Sequence, residues 1–209
     1  KPAVPSAAAA GFAALRAKAE AGDSRAQALV GAAFRLGYPP AEDFRQALTW
    51  TQKATEQGQP LGFYNLARLY ESGDALERDE SKAKDNYARA LPGLRRMAAD
   101  GDAEAQFALG QMFEYGHAVE TDPATALKFY RQAAEKGLAT AQFILGRCLA
   151  DGGEGMAADP TAARVWYEKA AQQDFSWAQV NLGVLCDEGR GGQADPAQAC
   201  AWYKRAAEL

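Results

Sequence analysis

Residues 105–137, AQFALGQMFEYGHAVETDPATALKFYRQAAEKG, hold one complete unit of a pattern that returns about every 36 residues. The same order of residues recurs in AQFILGRCLADG from Ala141 followed by DPTAARVWYEKAAQQD from Asp159. It recurs again in AQVNLGVLCDEG from Ala178 followed by DPAQACAWYKRAAEL from Asp195. A fixed period of this length means a stack of like supersecondary units, each burying its apolar face against the next. Within the quoted unit, Ala105, Leu109, Met112 and Phe113 fall at i, i+4, i+7 and i+8, one stripe of a first helix. Gly116 ends that helix. Asp122 and Pro123 start a second one, the acid as N-cap and the proline at the first helical position. Ala126, Phe129, Tyr130, Ala133 and Ala134 form its buried stripe, and Gly137 closes the unit.

Working outward, the opening aspartates of the second helices are Asp43, Asp79, Asp122, Asp159 and Asp195, spaced 36, 43, 37 and 36. The branched residue of each first helix follows at Val30, Leu66, Leu109, Leu145 and Leu182. Five units result, and the second carries seven extra residues near Leu91–Met97. Seven residues are nearly two whole helical turns, so the buried face keeps its phase. A lengthened second helix is expected there, with Pro92 as a kink. Small residues (Ala105, Gly110, Ala126, Ala133) let helices approach closely, and the aromatics fill the space between units. The aromatic column runs through Trp50, Tyr87, Phe129/Tyr130, Trp166/Tyr167 and Trp202/Tyr203, with Leu15 in the same register.

Composition bounds the function. The 209 residues carry a net charge of −4, which gives nothing to recruit a phosphate backbone, so nucleic acid is not an expected partner. No apolar run approaches the roughly 20 residues of a membrane span. Cys148, Cys186 and Cys200 do not form a disulfide framework and read as free, partly buried thiols; a Cys186–Cys200 bridge in the last unit stays open. The start, KPAVPSAAAA, lacks an initiating Met and lacks the apolar core of a signal peptide. It fits either a processed chain or a trimmed one.

Catalytic signatures are absent or weak. A single histidine, His117, rules out most histidine metal sites and histidine-dependent triads, and its place in an inter-helix turn reads as solvated. Ser81-Lys82-Ala83-Lys84 matches S-x-x-K formally, but at the start of a helix and without companion motifs it reads as ordinary surface. The carboxylates of Asp151–Asp159 lack the alternating ligand spacing of a calcium loop. No cofactor and no metal is expected.

The repeated residues resemble the Sel-1-like repeat, a relative of the tetratricopeptide repeat, whose pattern is A-x-x-x-L-G-x-x-Y-x-x-G followed by D-x-x-x-A-x-x-W-Y-x-x-A-A. Leu149 and Cys186 replace the aromatic of the first helix, Gly62 and Ala67 depart in the second unit, and Val30 and the turn YPPAED depart in the first. The resemblance implies an all-α, right-handed superhelical solenoid of about five helix-turn-helix repeats. The expected organisation is a disordered segment at 1–6, a capping helix at 7–21 and the solenoid at 22–209. Repeats are expected at about 22–58, 59–101, 102–137, 138–174 and 175–209. The resemblance carries no catalytic residues. It implies a bacterial adaptor or scaffold. It also favours export to the periplasm or secretion, whereas three unpaired thiols favour the cytoplasm.

In tetratricopeptide-like stacks the arc of the first helix two, six and nine residues after its Ala lines the concave groove. Here the first column reads Ala28, Tyr64, Phe107, Phe143 and Val180. The second reads Ala32, Arg68, Gln111, Arg147 and Val184, and the third Arg35, Glu71, Glu114, Ala150 and Asp187. An aromatic row flanked by Arg suits an extended peptide or a partner's edge. Tyr64, Arg68, Phe107, Gln111, Phe143 and Arg147 are therefore the expected binding residues. The competing reading is that curvature brings adjacent first helices together and buries the row. The expected function is a non-enzymatic scaffold for a protein or peptide. The alternatives are an inhibitor or immunity protein for one toxic enzyme, and a weak penicillin-binding or acyl-hydrolase activity. The sequence leaves the oligomeric state open.

Overall fold

The computed structural model describes residues 7–37, 43–152 and 157–208. The segment expected to be disordered at 1–6, most of the turn YPPAED and the centre of the acidic 151–159 turn lie outside those residues. The described chain is all-α, with eleven helices and no strand among the described residues. After α1 (Ala7–Glu20), α2 (Ser24–Leu36) pairs with α3 (Phe44–Glu56) and α4 (Pro60–Ser72) with α5 (Glu80–Ala99); α6 (Ala103–Tyr115) and α7 (Pro123–Glu135) come next in the chain. Then follow α8 (Ala139–Asp151) with α9 (Pro160–Ala171), and α10 (Ser176–Glu188) with α11 (Pro196–Ala207).

The repeated aspartates act as the sequence predicts. Asp43 accepts from the amides of Arg45 and Gln46, Asp79 from Lys82, Asp122 from Thr125, Asp159 from Ala162 and Asp195 from Gln198. Each cap is worth about 1 kcal/mol of helix stability. The same residues make a second tie that the sequence did not reveal. The amides of Asp43, Asp79, Asp159 and Asp195 donate to Phe34, Tyr70, Leu149 and Cys186 at the ends of the partner helices, at 2.9, 3.0, 2.7 and 2.8 Å. One residue thus starts the second helix and pins it to the first.

A second device also repeats. The side-chain amides of Gln27, Gln106, Gln142 and Gln179 donate to the carbonyls of Ala19, Ala98, Ala134 and Ala171, each eight residues earlier. These buried bonds join the end of one second helix to the start of the next first helix, and they satisfy carbonyls that a helix C-terminus leaves unpaired. The signal was present as the recurring Ala-Gln pair. The second repeat replaces it with Gly62-Phe63, and Arg89 lies over the Phe63 ring at 4.1 Å.

The seven-residue insertion is absorbed into α5, which runs 20 residues through Pro92, against 12 or 13 in α3, α7, α9 and α11. Close packing explains the Leu-Gly pairs of the first helices. A Cβ on Gly146 would sit 2.7 Å from the Tyr167 ring, and one on Gly183 would sit 2.5 Å from the Tyr203 ring.

The chain divides into two compact units, residues 1–121 and 122–209. In unit 1, α1 packs on α2, α2 on α3 and α4, α3 on α4, α4 on α5 and α6, and α5 on α6. One of its buried clusters comprises Ala19, Ala26, Val30, Phe34, Ala47, Trp50 and Leu69, with Phe12 and Leu15 of α1 against it. In unit 2, α8 packs on α7 and α9, and α10 on α9 and α11. Tyr167, Leu182 and Cys186 are among its enclosed side chains.

Candidate functional site

The expected binding columns have different neighbours in the two units. In unit 1 the first helices touch one another. Ala28 presents no bulk beyond Cβ, so α4 approaches α2 closely enough for Asn65 Nδ2 to donate to the Ala28 carbonyl at 2.8 Å. Tyr64 is consequently buried, 4 % exposed. Its hydroxyl donates to Gln111 Oε1 on α6, and Arg68 Nη1 reaches the same oxygen at 3.4 Å. At the first turns of α2 and α6, Arg25 binds Asp102 Oδ2 at 2.9 Å through Nε and 2.7 Å through Nη2.

A polar network continues from Arg68. Its Nε lies 3.6 Å from Glu71. Glu71 Oε2 accepts from the Tyr87 hydroxyl at 2.9 Å, and Oε1 lies 3.2 Å from His117 Nε2. His117 stacks on the Tyr87 ring, with centroids 4.2 Å apart and planes 6° from parallel. The sequence reading of His117 as a solvated turn residue is therefore corrected. Its ring is largely enclosed, because Tyr87 offers it a flat apolar face and Glu71 a hydrogen-bond acceptor.

Burial governs the electrostatics here. It pushes the Tyr64 and Tyr87 hydroxyls well above the ordinary phenol range. Burial, then the neighbouring Arg68, holds the Arg35 guanidinium below its usual value. Burial would lower Arg68 as well, but Tyr64, Tyr87 and Glu71 outweigh it and the net direction is upward. Burial lowers His117, with Glu71 opposing. On the first turn of α6, burial pushes the partly enclosed Glu104 carboxyl up to about 7, with Arg25 opposing and Asp102 reinforcing the rise.

Unit 2 carries the same columns differently. Phe143 on α8 turns its ring towards Tyr167 and Phe175, at 5.8 and 5.4 Å between centroids. Among the described residues α8 and α10 do not form the first-helix packing seen in unit 1. Arg147 is exposed. On α10, Trp177 and Val180 are 65 % and 39 % exposed. With Val184 they fall at i, i+3 and i+7, a single stripe along the helix. Val180 and Val184 stood in the sequence columns. Trp177 was missed because it lies one residue before the leading Ala178, three before the nearest column residue Val180.

The structure thus joins Tyr64, Arg68 and Gln111 in one hydrogen-bonded group, with Phe107 partly buried on the same α6. It places Phe143 and Arg147 on α8 of the other unit. Ser81 and Lys84 are both exposed. All three cysteines are free, which closes the question of a Cys186–Cys200 bridge. Cys186 Sγ donates instead to Gln198 Oε1 at 3.0 Å. Among the described residues no group of three His, Cys, Asp or Glu side chains is placed to hold a metal ion. No described helix is long and apolar enough to cross a membrane.

The helix pairs and their repeated caps define an α-helical repeat protein. The Sel1 repeat matches residues 24–59, 64–91, 103–138, 139–175 and 178–209, and the chain belongs to this family. It is similar to chitin synthase regulatory factor 3 of Schizosaccharomyces pombe, 35 % identical over 98 residues, which are 47 % of this chain and 10 % of that protein. A solved protective antigen with an SLR fold from uropathogenic Escherichia coli is 32 % identical, with a TM-score of 0.56. That match covers 94 % of this chain and 40 % of the antigen. A Sel1 repeat protein from Oxalobacter formigenes is 27 % identical with a TM-score of 0.59, covering 90 % of this chain and 74 % of its own. The chain therefore spans a minor part of the curated relative and of the antigen. Sel1 repeat proteins mediate protein–protein interaction and are generally non-enzymatic.

Proposed function

We propose that this chain is a non-enzymatic scaffold that binds a protein or peptide through its first-helix faces. The observation that carries the reading is the exposed stripe of Trp177 and Val180 on α10. A contiguous apolar patch at the surface marks an interaction site where isolated exposed residues do not, and Trp177 and Val180 are neighbours on one helix face. Exposed Arg147 on α8 supplies a charged contact of the kind interfaces favour. In unit 2 the proposed contact residues are Phe143, Arg147, Trp177 and Val180. In unit 1 they are Arg68, Phe107 and Gln111, with Tyr64 acting from beneath by fixing Gln111.

The test is capture from a lysate of the source cells, comparing wild type with Phe107→Ser/Phe143→Ser and with Trp177→Ser/Val180→Ser. A protein retained by wild type and lost from either variant supports the reading. Retention by all three removes these faces from it. A single partner held at one-to-one stoichiometry would specify the inhibitor form of the same reading.

A further inference from the structure

The C-terminal end of α10 decides what kind of partner fits the exposed stripe. Trp177, Val180 and Val184 are followed along the same side of the helix by Asp187 at i+10 and Glu188 at i+11. At 1.5 Å per residue, the line from Trp177 to Asp187 is about 15 Å long. Asp187 is exposed and has no ion-pair partner among the described residues. Arg190 lies 3.7 Å from Glu188 and 3.7 Å from Asp151 at the end of α8, and its Nη2 also donates to the Ala150 carbonyl. One guanidinium thus serves two carboxylates. With Asp187 beside them, two negative charges are left over at this end of the stripe.

Those acids sit at the wrong end of their helix. A C-terminal turn carries the negative end of the helix dipole and prefers cations, yet the last turn of α10 holds Asp187 and Glu188 and no basic residue. A positive charge brought there from outside offsets both the dipole and the surplus carboxylates. The apolar stripe constrains the backbone of the ligand as well. An extended segment laid along it would press unpaired N–H and C=O groups against valine and indole, which is costly. Asn181, beside the stripe, already donates through Nδ2 to the Trp177 carbonyl at 2.8 Å. A helix arrives with its backbone hydrogen bonds made. Its apolar anchors at i, i+3 and i+7 match the spacing of Trp177, Val180 and Val184.

We propose that the α10 face of Trp177, Val180 and Val184 docks an amphipathic helix of a partner protein, with a Lys or Arg at one end of that helix lying over Asp187 and Glu188. This names the chemistry of the partner and rests on the scaffold reading for the existence of one. Lysate capture tests that reading. The defined peptides below test the helix and its charge, so the two fail separately.

The experiment titrates the full chain into labelled peptides and reads fluorescence anisotropy. The probes are Ac-KKLAALQAQLAALKK-NH2, its counterpart Ac-EELAALQAQLAALEE-NH2, and the helix-broken Ac-KKLAPLQAQLPALKK-NH2. Both ends carry the charge, so either orientation brings one end over the acids, and about 15 residues suffice for a helix. The Lys peptide is expected to bind wild type saturably, at least about tenfold more tightly than the Glu peptide, or ~1.4 kcal/mol. It is also expected to shift the Trp177 indole signal in NMR spectra, and the Pro peptide is expected to leave that signal in place. Asp187→Lys/Glu188→Lys is expected to reverse the preference towards the Glu peptide, a gain that a misfolded chain would not show. Trp177→Ser/Val180→Ser is expected to lose the Lys peptide. The proposal is overturned if the Lys peptide does not bind, if Lys and Glu peptides bind wild type equally, or if the charge-reversed variant keeps the wild-type preference. It is also overturned if the Trp177 signal stays in place, if Trp177→Ser/Val180→Ser retains the Lys peptide, or if the Pro peptide binds as tightly, which would mark an extended ligand.

Discussion

The same position of the repeat runs from core at the start of unit 1 to surface at the end of unit 2, with Phe107 and Phe143 intermediate between them. Two residues after the leading Ala or Gly, Ala28 and Tyr64 are buried, whereas Val180 is 39 % exposed. One residue before it, Glu104 is partly enclosed, whereas Trp177 is 65 % exposed. The residues do not explain this by their own polarity, since the more exposed pair is the more apolar. What differs is the neighbouring first helix. Ala28 lets α4 close onto α2, and α4 in turn packs on α6. Phe143, at the position of Ala28, fills space against Tyr167 and Phe175 instead. A column of a repeat is therefore made into core or into contact surface by the spacing of the first helices of adjacent repeats.

The sharpest way to break the comparison is to truncate the equivalent side chains. Tyr64→Ala is expected to cost ~3–5 kcal/mol, the range for losing a buried aromatic, read as a lower urea midpoint. A cost near zero would mean that the unit 1 row is open after all. Ala28→Leu attacks the cause directly. It is expected to cost about 1–3 kcal/mol by overpacking the α2–α4 contact, and to raise hydrogen exchange in both helices.

Glu104→Gln tests burial through pH. A carboxyl near 7 when folded, against an ordinary 4.5, binds its proton more tightly in the native state. Stability from this group is therefore fully present below about pH 4.5, falls as pH rises towards 7, and is flat above. The glutamine is expected to gain roughly 1–3 kcal/mol at pH 8 and nothing at pH 4. Thermal melts at the two pH values read the difference, and an equal gain at both would refute the burial argument. The smallest effect is expected at the surface. Trp177→Ser should change stability by no more than about 0.5 kcal/mol, and a loss above 2 kcal/mol would place that ring in the core.

The sequence reaches far into the fold because the repeat states its rules five times. Asp43 and its four successors announce helix starts through a local hydrogen bond that needs no distant partner. The insertion at 91–97 preserves helical phase, so α5 could be read as one longer helix. The candidate site was legible only in part. Arg68, Gln111 and Glu71 stood in the columns read from the repeat, but nothing local showed that Tyr64 bonds to Gln111 or that His117 stacks on Tyr87. The Gln27-type bonds were visible as a recurring letter without a stated role, since their partners sit eight residues back across a turn.

The sequence by itself determined the helices, their caps, their pairing and the family, because each rests on contacts within a few residues or on a period repeated along the chain. The tertiary structure alone decided which first helices touch and that Trp177 faces outward. Those outcomes depend on the distance between helices some forty residues apart, set by the bulk of side chains such as Ala28 and Phe143 acting together.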